Sequence, residues 1–205
     1  MTASKTKQNI VIVNTGCANI SSVKFAMERL GVAVTVSEDT DIITQADKVF
    51  LPGVGSANAA MQSINRKQLG ECIQSLTQPV IGVCLGMQLM VSESEEGKDG
   101  NTECLGMIPG IVKRMQVGDL RLPHMGWNTV IPETDSPLFK GIDAGTYFYF
   151  VHSFAVDVYQ HTLARCEYGM PFSAALHKDN FFGVQFHPER SGAAGAKLLE
   201  NFVNL

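Results

Sequence analysis

Residues 79–89 read PVIGVCLGMQL: a short apolar run rich in β-branched residues, then Cys84 with a glycine two positions to either side, then residues that suit a helix. A strand that turns sharply into a helix forces the residue at the corner into a strained backbone conformation. Glycines at 82 and 86 remove the Cβ atoms that would collide there. This is the nucleophile-elbow arrangement with Cys in the place of Ser. The thiol then stands at the start of a helix, where free N–H groups and the dipole favour thiolate. The pattern G-x-C-x-G arises by chance in roughly 4% of chains with this glycine and cysteine content, so its strand-to-helix setting has to carry the reading. The alternative is a buried structural cysteine.

Working outward, residues 10–14 read as a buried strand, and Val23, Ala26, Met27 and Leu30 share one helical face that ends at Gly31. Further strands are expected at 32–36 and 48–51, and a helical stretch at 58–76 before the strand that leads to Cys84. Strand and helix in alternation indicate an α/β fold, an open and mostly parallel sheet flanked by helices. The second half changes character: 111–115, 128–131, 147–151, 163–168, 172–177 and 181–186 read as strands with few helices between them. They are expected to add mixed or antiparallel strands to the sheet. A final helix over 193–202 packs back through Ala194, Leu198, Leu199 and Phe202.

The segment FFGVQFHPE, residues 181–189, supplies a partner for the thiol. The strand is expected to end at His187, because Pro188 cannot continue the ladder, which leaves the imidazole at the carboxyl edge of the sheet where α/β proteins build their sites. Glu189 can reach the other ring nitrogen and orient it. A cysteine is only a few per cent thiolate at neutral pH, so an imidazole that accepts its proton is what acyl-transfer chemistry needs, and the same group then protonates a leaving amine. Without such a partner His187 would be an ordinary strand-end residue. The remaining histidines lack a comparable nucleophile and acid nearby in sequence.

LPGVG, residues 51–55, follows another expected strand and belongs at the same edge. Such a turn can aim backbone N–H groups at a developing oxyanion; Val54 and Leu85 are the candidate donors, against the alternative of a plain tight turn. It lacks the Gly-Lys-Ser/Thr ending of a phosphate loop. Gln88, one turn after Cys84, and Glu96, in an acidic run that by itself reads as solvated surface, are candidate substrate contacts.

The bulk properties set the bounds. The chain has 205 residues, 45% of them hydrophobic, with no pooled linker composition, so a single domain over 1–205 is expected. Sixteen Lys and Arg against twenty Asp and Glu, with no basic cluster, argue against nucleic acid. The polar opening residues followed by a four-residue apolar run fit neither a signal peptide nor a membrane span, and a cytoplasmic protein is expected. Cys17, Cys72, Cys84, Cys104 and Cys166 are odd in number and lack C-x-x-C spacing, which indicates neither a disulfide framework nor a zinc site.

PGVG, GVCLGMQ and FGVQFHPERS, in this order, resemble the class I (triad) glutamine amidotransferases over nearly the whole chain. That resemblance implies glutamine as substrate, Cys84, His187 and Glu189 as the triad, Val54 as an oxyanion donor, Gln88 and Glu96 as glutamine contacts, and no metal or cofactor. PHMGWN (123–128), YFVHSF (149–154) and the ending GAKLLENF (195–202) resemble one branch of the family. That branch implies a heterodimer with a (β/α)₈-barrel cyclase subunit docked over the active site, with Pro123, His124, Met125, Gly126, Trp127 and Asn128 near the interface. The sequence departs from the family where Ser56, Ala57 and Asn58 follow PGVG in place of the usual Ala-Phe, and a local packing change is expected there. Rival readings are the glutaminase of pyridoxal phosphate synthase or of a linked synthetase, against which HMGWN argues, and a non-catalytic redox sensor, which His187 and Glu189 oppose.

Overall fold

The computed structural model describes residues 8–16, 19–97 and 100–205. Cys17 and the first seven residues lie outside the described residues. The first half winds β1 (Ile10–Val13), α1 (Ile20–Arg29), β2 (Val34–Ser37), α2 (Thr40–Thr44), β3 (Lys48–Gly53), α3 (Ala57–Arg66), α4 (Gly70–Gln74), β4 (Val80–Cys84) and α5 (Leu85–Met90). Strands follow almost without interruption: β5 (Glu93–Ser94), β6 (Thr102–Glu103), β7 (Ile111–Arg114), β8 (His124–Pro132), β9 (Thr146–His152), β10 (Phe154–Val156), β11 (Thr162–Glu167), β12 (Pro171–Lys178) and β13 (Phe181–Val184). Helix α6 (Gly192–Val203) closes the chain.

Nine strands form one sheet in the order β2-β1-β3-β4-β13-β12-β11-β8-β9. β2 through β13 run parallel, and β12, β11, β8 and β9 add antiparallel. The α/β expectation, parallel first and mixed later, therefore holds. The central strands alternate into two cores: Ile10 and Ile12 face α1 and α6 with Phe50, Ile81 and Phe202, while Val11, Val13 and Leu51 face α3 with Ile64 and Met87. Burial on both faces is why these runs are apolar throughout.

Three details differ from the sequence expectation. The helix over 58–76 is two helices, because Gln68 takes a left-handed conformation (φ 56°). Leu69 N–H then bonds Ile64 C=O and Gln68 N–H bonds Asn65 C=O. This is a Schellman ending with Gln in place of the usual Gly, sealed by fully buried Ile64 and Leu69. A short helix at 40–44 appears because the Asp39 side chain accepts from Asp41 and Ile42 N–H. A second, four-stranded sheet, β10-β7-β5-β6, forms over the α5 end of the molecule. Among the described residues no helix is long and apolar enough to cross a membrane.

Candidate active site

Three neighbouring parallel strands end together. Gly53 of β3 is level with Cys84 of β4, and Val83 is level with Val184 of β13, so the turn at Val54, the thiol and the segment leading to His187 share one sheet edge. Cys84 sits at φ 53°, ψ −110°. The flanking glycines are sterically required: a Cβ on Gly86 would lie 1.7 Å from the Leu51 carbonyl oxygen, and one on Gly82 would lie 2.6 Å from the Gly86 carbonyl carbon.

His187 lies three residues beyond the end of β13, a correction to the expectation that the strand runs up to it. The chain leaves the ladder after Val184, and a second set of bonds holds the imidazole. His187 N–H donates to Tyr149 C=O at 2.8 Å, and the His187 carbonyl accepts from the Ser191 hydroxyl at 2.6 Å. The Pro188–Arg190 turn that follows lies against α6; a Cβ on Gly195 would fall 1.9 Å from the Pro188 carbonyl oxygen.

His187 Nδ1 meets Glu189 Oε1 at 2.8 Å, with both side chains buried. Nε2 is buried and has no hydrogen-bond partner among the described residues, and the same holds for Glu189 Oε2. The orienting contact is therefore formed, and Nε2 remains available toward the cavity that Cys84 also lines. Burial works to lower the pKa of the imidazole, but Cys84 and Glu189 beside it outweigh that and raise it to about 10. A proton taken from the thiol is thus held firmly as imidazolium.

A pH dependence follows. Because the shift is upward, the imidazolium needed to protonate a leaving amine persists through neutral pH and is lost only as pH rises toward 10. The pH profile of kcat/KM for glutamine is expected to fall on the alkaline side in that region, and Glu189→Gln, which removes a negative partner, should move the fall to lower pH. A fall centred near the ordinary histidine value of 6.5 would contradict this account.

The cavity of about 420 Å³ gathers Val54, Cys84, Leu85, Gln88, Glu96 and His187 on its wall. The seven residues placed in the site by sequence therefore come together, apart from Glu189, which stands behind His187. Glu96 Oε2 accepts from Ala57 N–H at 3.1 Å, and burial raises its pKa despite that bond. The departure at 56–58 has a local role here: the Ser56 hydroxyl caps α3 by accepting from Ala59 N–H, and Ala57 is fully buried.

Sequence reasoning missed contributors to the same wall, among them Arg114, His152, Ser153 and Arg190. It also missed Gln185, whose amide nitrogen lies 3.7 Å from Cys84 Sγ. A glutamine inside the apolar run FFGVQF was the available signal, and the structure buries it completely. The other described cysteines are remote from this chemistry: burial, chiefly, pushes the Cys104 and Cys166 thiols up to about 12.

The 123–128 stretch divides by strand alternation. His124 is buried at 3% exposure, while Met125 (63%) and Trp127 (55%) project outward. Opposite them on β9, Val151 pairs with Met125, Tyr149 with Trp127 and Tyr147 with Thr129. The rings of Trp127 and Tyr149 are 6.1 Å apart edge to face, and the Arg190 guanidinium lies over Tyr149 at 5.5 Å. Val151, Pro123 and Arg190 also line the cavity, so this exposed apolar face borders its mouth.

A strained elbow cysteine, a histidine held by a buried glutamate and a loop level with the thiol come together at one sheet edge, and the chain belongs to the class I glutamine amidotransferase family, whose sequence profile it matches over residues 11–205. Within that family it is similar to imidazole glycerol phosphate synthase subunit HisH of Vibrio cholerae serotype O1, 56% identical over 201 residues that cover 97% of this chain and 99% of the relative. The subunit of the same name from Colwellia psychrerythraea is 56% identical, covering 95% and 92% of the two chains. The fold is similar to that of a glutamine amidotransferase from Thermotoga maritima (TM-score 0.65, 15% identity, 97% and 84% covered). A chain of PurLQS from the same organism is also similar (TM-score 0.72, 18% identity, 97% and 99% covered).

Proposed function

We propose that this chain is the glutaminase subunit of an imidazole glycerol phosphate synthase, a single cytoplasmic domain that works in a heterodimer with a cyclase subunit in histidine biosynthesis. The observation that carries the chemistry is the buried His187–Glu189 contact, with Nε2 left free on the cavity wall that also holds Cys84. The likeness to HisH subunits over nearly the full length of both chains carries the assignment of the pathway.

In this reading Cys84 gives its proton to His187 Nε2, and Sγ attacks the side-chain carboxamide carbon of glutamine. The oxyanion forms beside the N–H groups of Val54 and Leu85. As the tetrahedral intermediate collapses, the C–N bond breaks, His187 protonates the departing nitrogen, and ammonia leaves a glutamyl thioester on Cys84. His187 then deprotonates water, whose attack releases glutamate and restores the thiol. Gln88 and Glu96, which line the cavity, are assigned to the substrate, with the Glu96 carboxylate meeting its α-ammonium.

Released ammonia would become mostly ammonium in neutral water, which is no nucleophile, so a partner that covers the site and excludes water preserves its reactivity. The apolar β8–β9 face bordering the cavity is suited to such a cover. The cyclase then uses the ammonia to make imidazole glycerol phosphate and aminoimidazole carboxamide ribotide. Docking is also a means of control: Gly53 and Gly55 flank Val54, and a glycine-flanked turn can realign its donors when a ligand-loaded partner binds.

Glutamate release, measured with the chain alone and then with cyclase and its ribotide ligand, tests the reading. Strong stimulation is expected; steady hydrolysis without stimulation would point to another acceptor enzyme, and no hydrolysis under either condition would overturn the glutaminase. Trp127→Ala is expected to weaken cyclase binding by about 2–4 kcal/mol, since an exposed aromatic anchor of this kind is where interface energy concentrates. Titration calorimetry checks this, and an unchanged Kd would remove Trp127 from the interface.

A further inference from the structure

A line of hydrogen bonds runs inward from the β8–β9 hairpin to the thiol, and chemistry fixes the direction of every bond. His152 Nδ1 lies 2.9 Å from the Phe154 carbonyl oxygen, which can only accept, so Nδ1 carries hydrogen and Nε2 is bare. His124 Nδ1, 3.0 Å from that bare nitrogen, must donate to it. His124 Nε2 is then bare in turn and accepts from the Asn128 amide at 3.3 Å. The other hydrogen of that amide goes to the Glu167 carbonyl at 2.9 Å.

The same Phe154 carbonyl accepts from Gln88 Nε2 at 3.0 Å, which fixes which way the Gln88 amide points. Gln88 Nε2 also donates to Gln185 Oε1 at 2.9 Å, so Gln185 must turn its N–H, and not its oxygen, toward Cys84 Sγ. A donor aimed at the sulfur orients the nucleophile and holds it at one place on the cavity wall.

Both histidines in this line are neutral, since each ring donates once and accepts once. Burial agrees, lowering their pKa to about 4 for His124 and about 3 for His152. His124 is also clamped between the rings of Tyr168 and Phe150, at 4.1 and 5.0 Å, so the ring cannot easily turn over. Polar groups buried this deeply are costly unless every one is paired. Here the pairing forms one chain that ends on the reactive atom.

We propose that Asn128, His124, His152, Gln88 and Gln185 form a positioning relay that sets an N–H donor on the Cys84 sulfur and ties that donor to the β8–β9 face beside Trp127. The placement of the relay stands independently of the reaction; its effect on turnover rests on the glutaminase reading above.

The test has two arms. In the first, the free chain is treated with iodoacetamide at neutral pH, and the modification of Cys84 is followed by peptide mass. Gln185→Met, which keeps shape and loses the donor, is expected to slow alkylation about tenfold. His124→Phe, which keeps the stacked ring and breaks both of its bonds, should slow it about threefold, and His124→Asn, which restores a donor near the Nδ1 position, should recover most of the loss. In the second arm, glutamine hydrolysis by the cyclase complex is measured, and kcat is expected to fall in the same order.

Parental alkylation rates in Gln185→Met and His124→Phe, or a His124→Asn as slow as His124→Phe, would overturn the relay. If His124→Phe does not fold, Asn128→Leu removes the donor at the outer end of the line and is expected to slow alkylation in the same sense; an unchanged rate would overturn the tie to the face. Expected alkylation rates in a parent chain that hydrolyses no glutamine would leave the relay standing and defeat the glutaminase reading instead.

Discussion

Cys84→Ala is expected to lower cyclase-stimulated glutamine hydrolysis by a factor on the order of 10⁴ or more, to the background of the assay, with the fold and cyclase affinity retained. Without Sγ no thioester forms, and what is left of the site can only orient a water molecule; loss of the nucleophile from a working triad has effects of this order or larger. The fold is retained because Cys84 is 9% exposed at the cavity wall and Ala adopts its φ of 53° at much the same strain. Glutamate release, melting temperature and a cyclase titration check the three parts. Cys104→Ala and Cys166→Ala should hydrolyse glutamine close to the parental rate, since both thiols are buried and away from the cavity. Substantial hydrolysis by Cys84→Ala would place the chemistry elsewhere.

Gly86→Ala should produce the largest loss of stability among single changes at the elbow. The added Cβ meets the Leu51 carbonyl oxygen at 1.7 Å and the Leu51 carbonyl carbon at 2.9 Å, which are backbone atoms of a central strand that cannot swing aside. Overpacking of side chains costs about 1–3 kcal/mol, and a clash against backbone belongs at or above the top of that range. For a chain of this size that amounts to a melting temperature lower by roughly 10 °C, or to loss of soluble protein. Gly70→Ala is the control. Its Cβ would meet nothing nearer than 3.9 Å in a helix, and it should be neutral or slightly stabilising. Equal melting temperatures for the two variants would refute the steric account of the elbow.

The elbow was legible in sequence because it joins three signals that local physics couples: an apolar strand, glycines where a Cβ cannot fit, and a residue able to react. His187 and Glu189 were legible because proline stiffens the two-residue separation between them, and the observed 2.8 Å contact is what that spacing allows. Strand alternation was legible but applied too coarsely at 123–128. Read with period two, it sends Met125 and Trp127 outward and His124 inward, where the structure has them.

Other features had no local signature. Gln68 in a left-handed conformation is set by the burial of Ile64 and Leu69 on either side of it, not by a preference of glutamine. The two-residue strands Glu93–Ser94 and Thr102–Glu103 are too short for any periodicity and exist because β7 and each other supply their bonds. The pairing of His124 with His152 joins positions 28 residues apart and follows only from the register of β8 on β9. His152 is accordingly among the contributors that sequence reasoning passed over.

Mass analysis of the chain quenched with acid during turnover with cyclase, ribotide ligand and excess glutamine asks directly whether glutamine is cleaved through a covalent bond to Cys84. A glutamyl group is expected on the peptide that contains Cys84, absent from His187-containing peptides and discharged once glutamine is exhausted. Rapid hydrolysis with Cys84 unmodified at every quench time, together with parental turnover by Cys84→Ala, would contradict it.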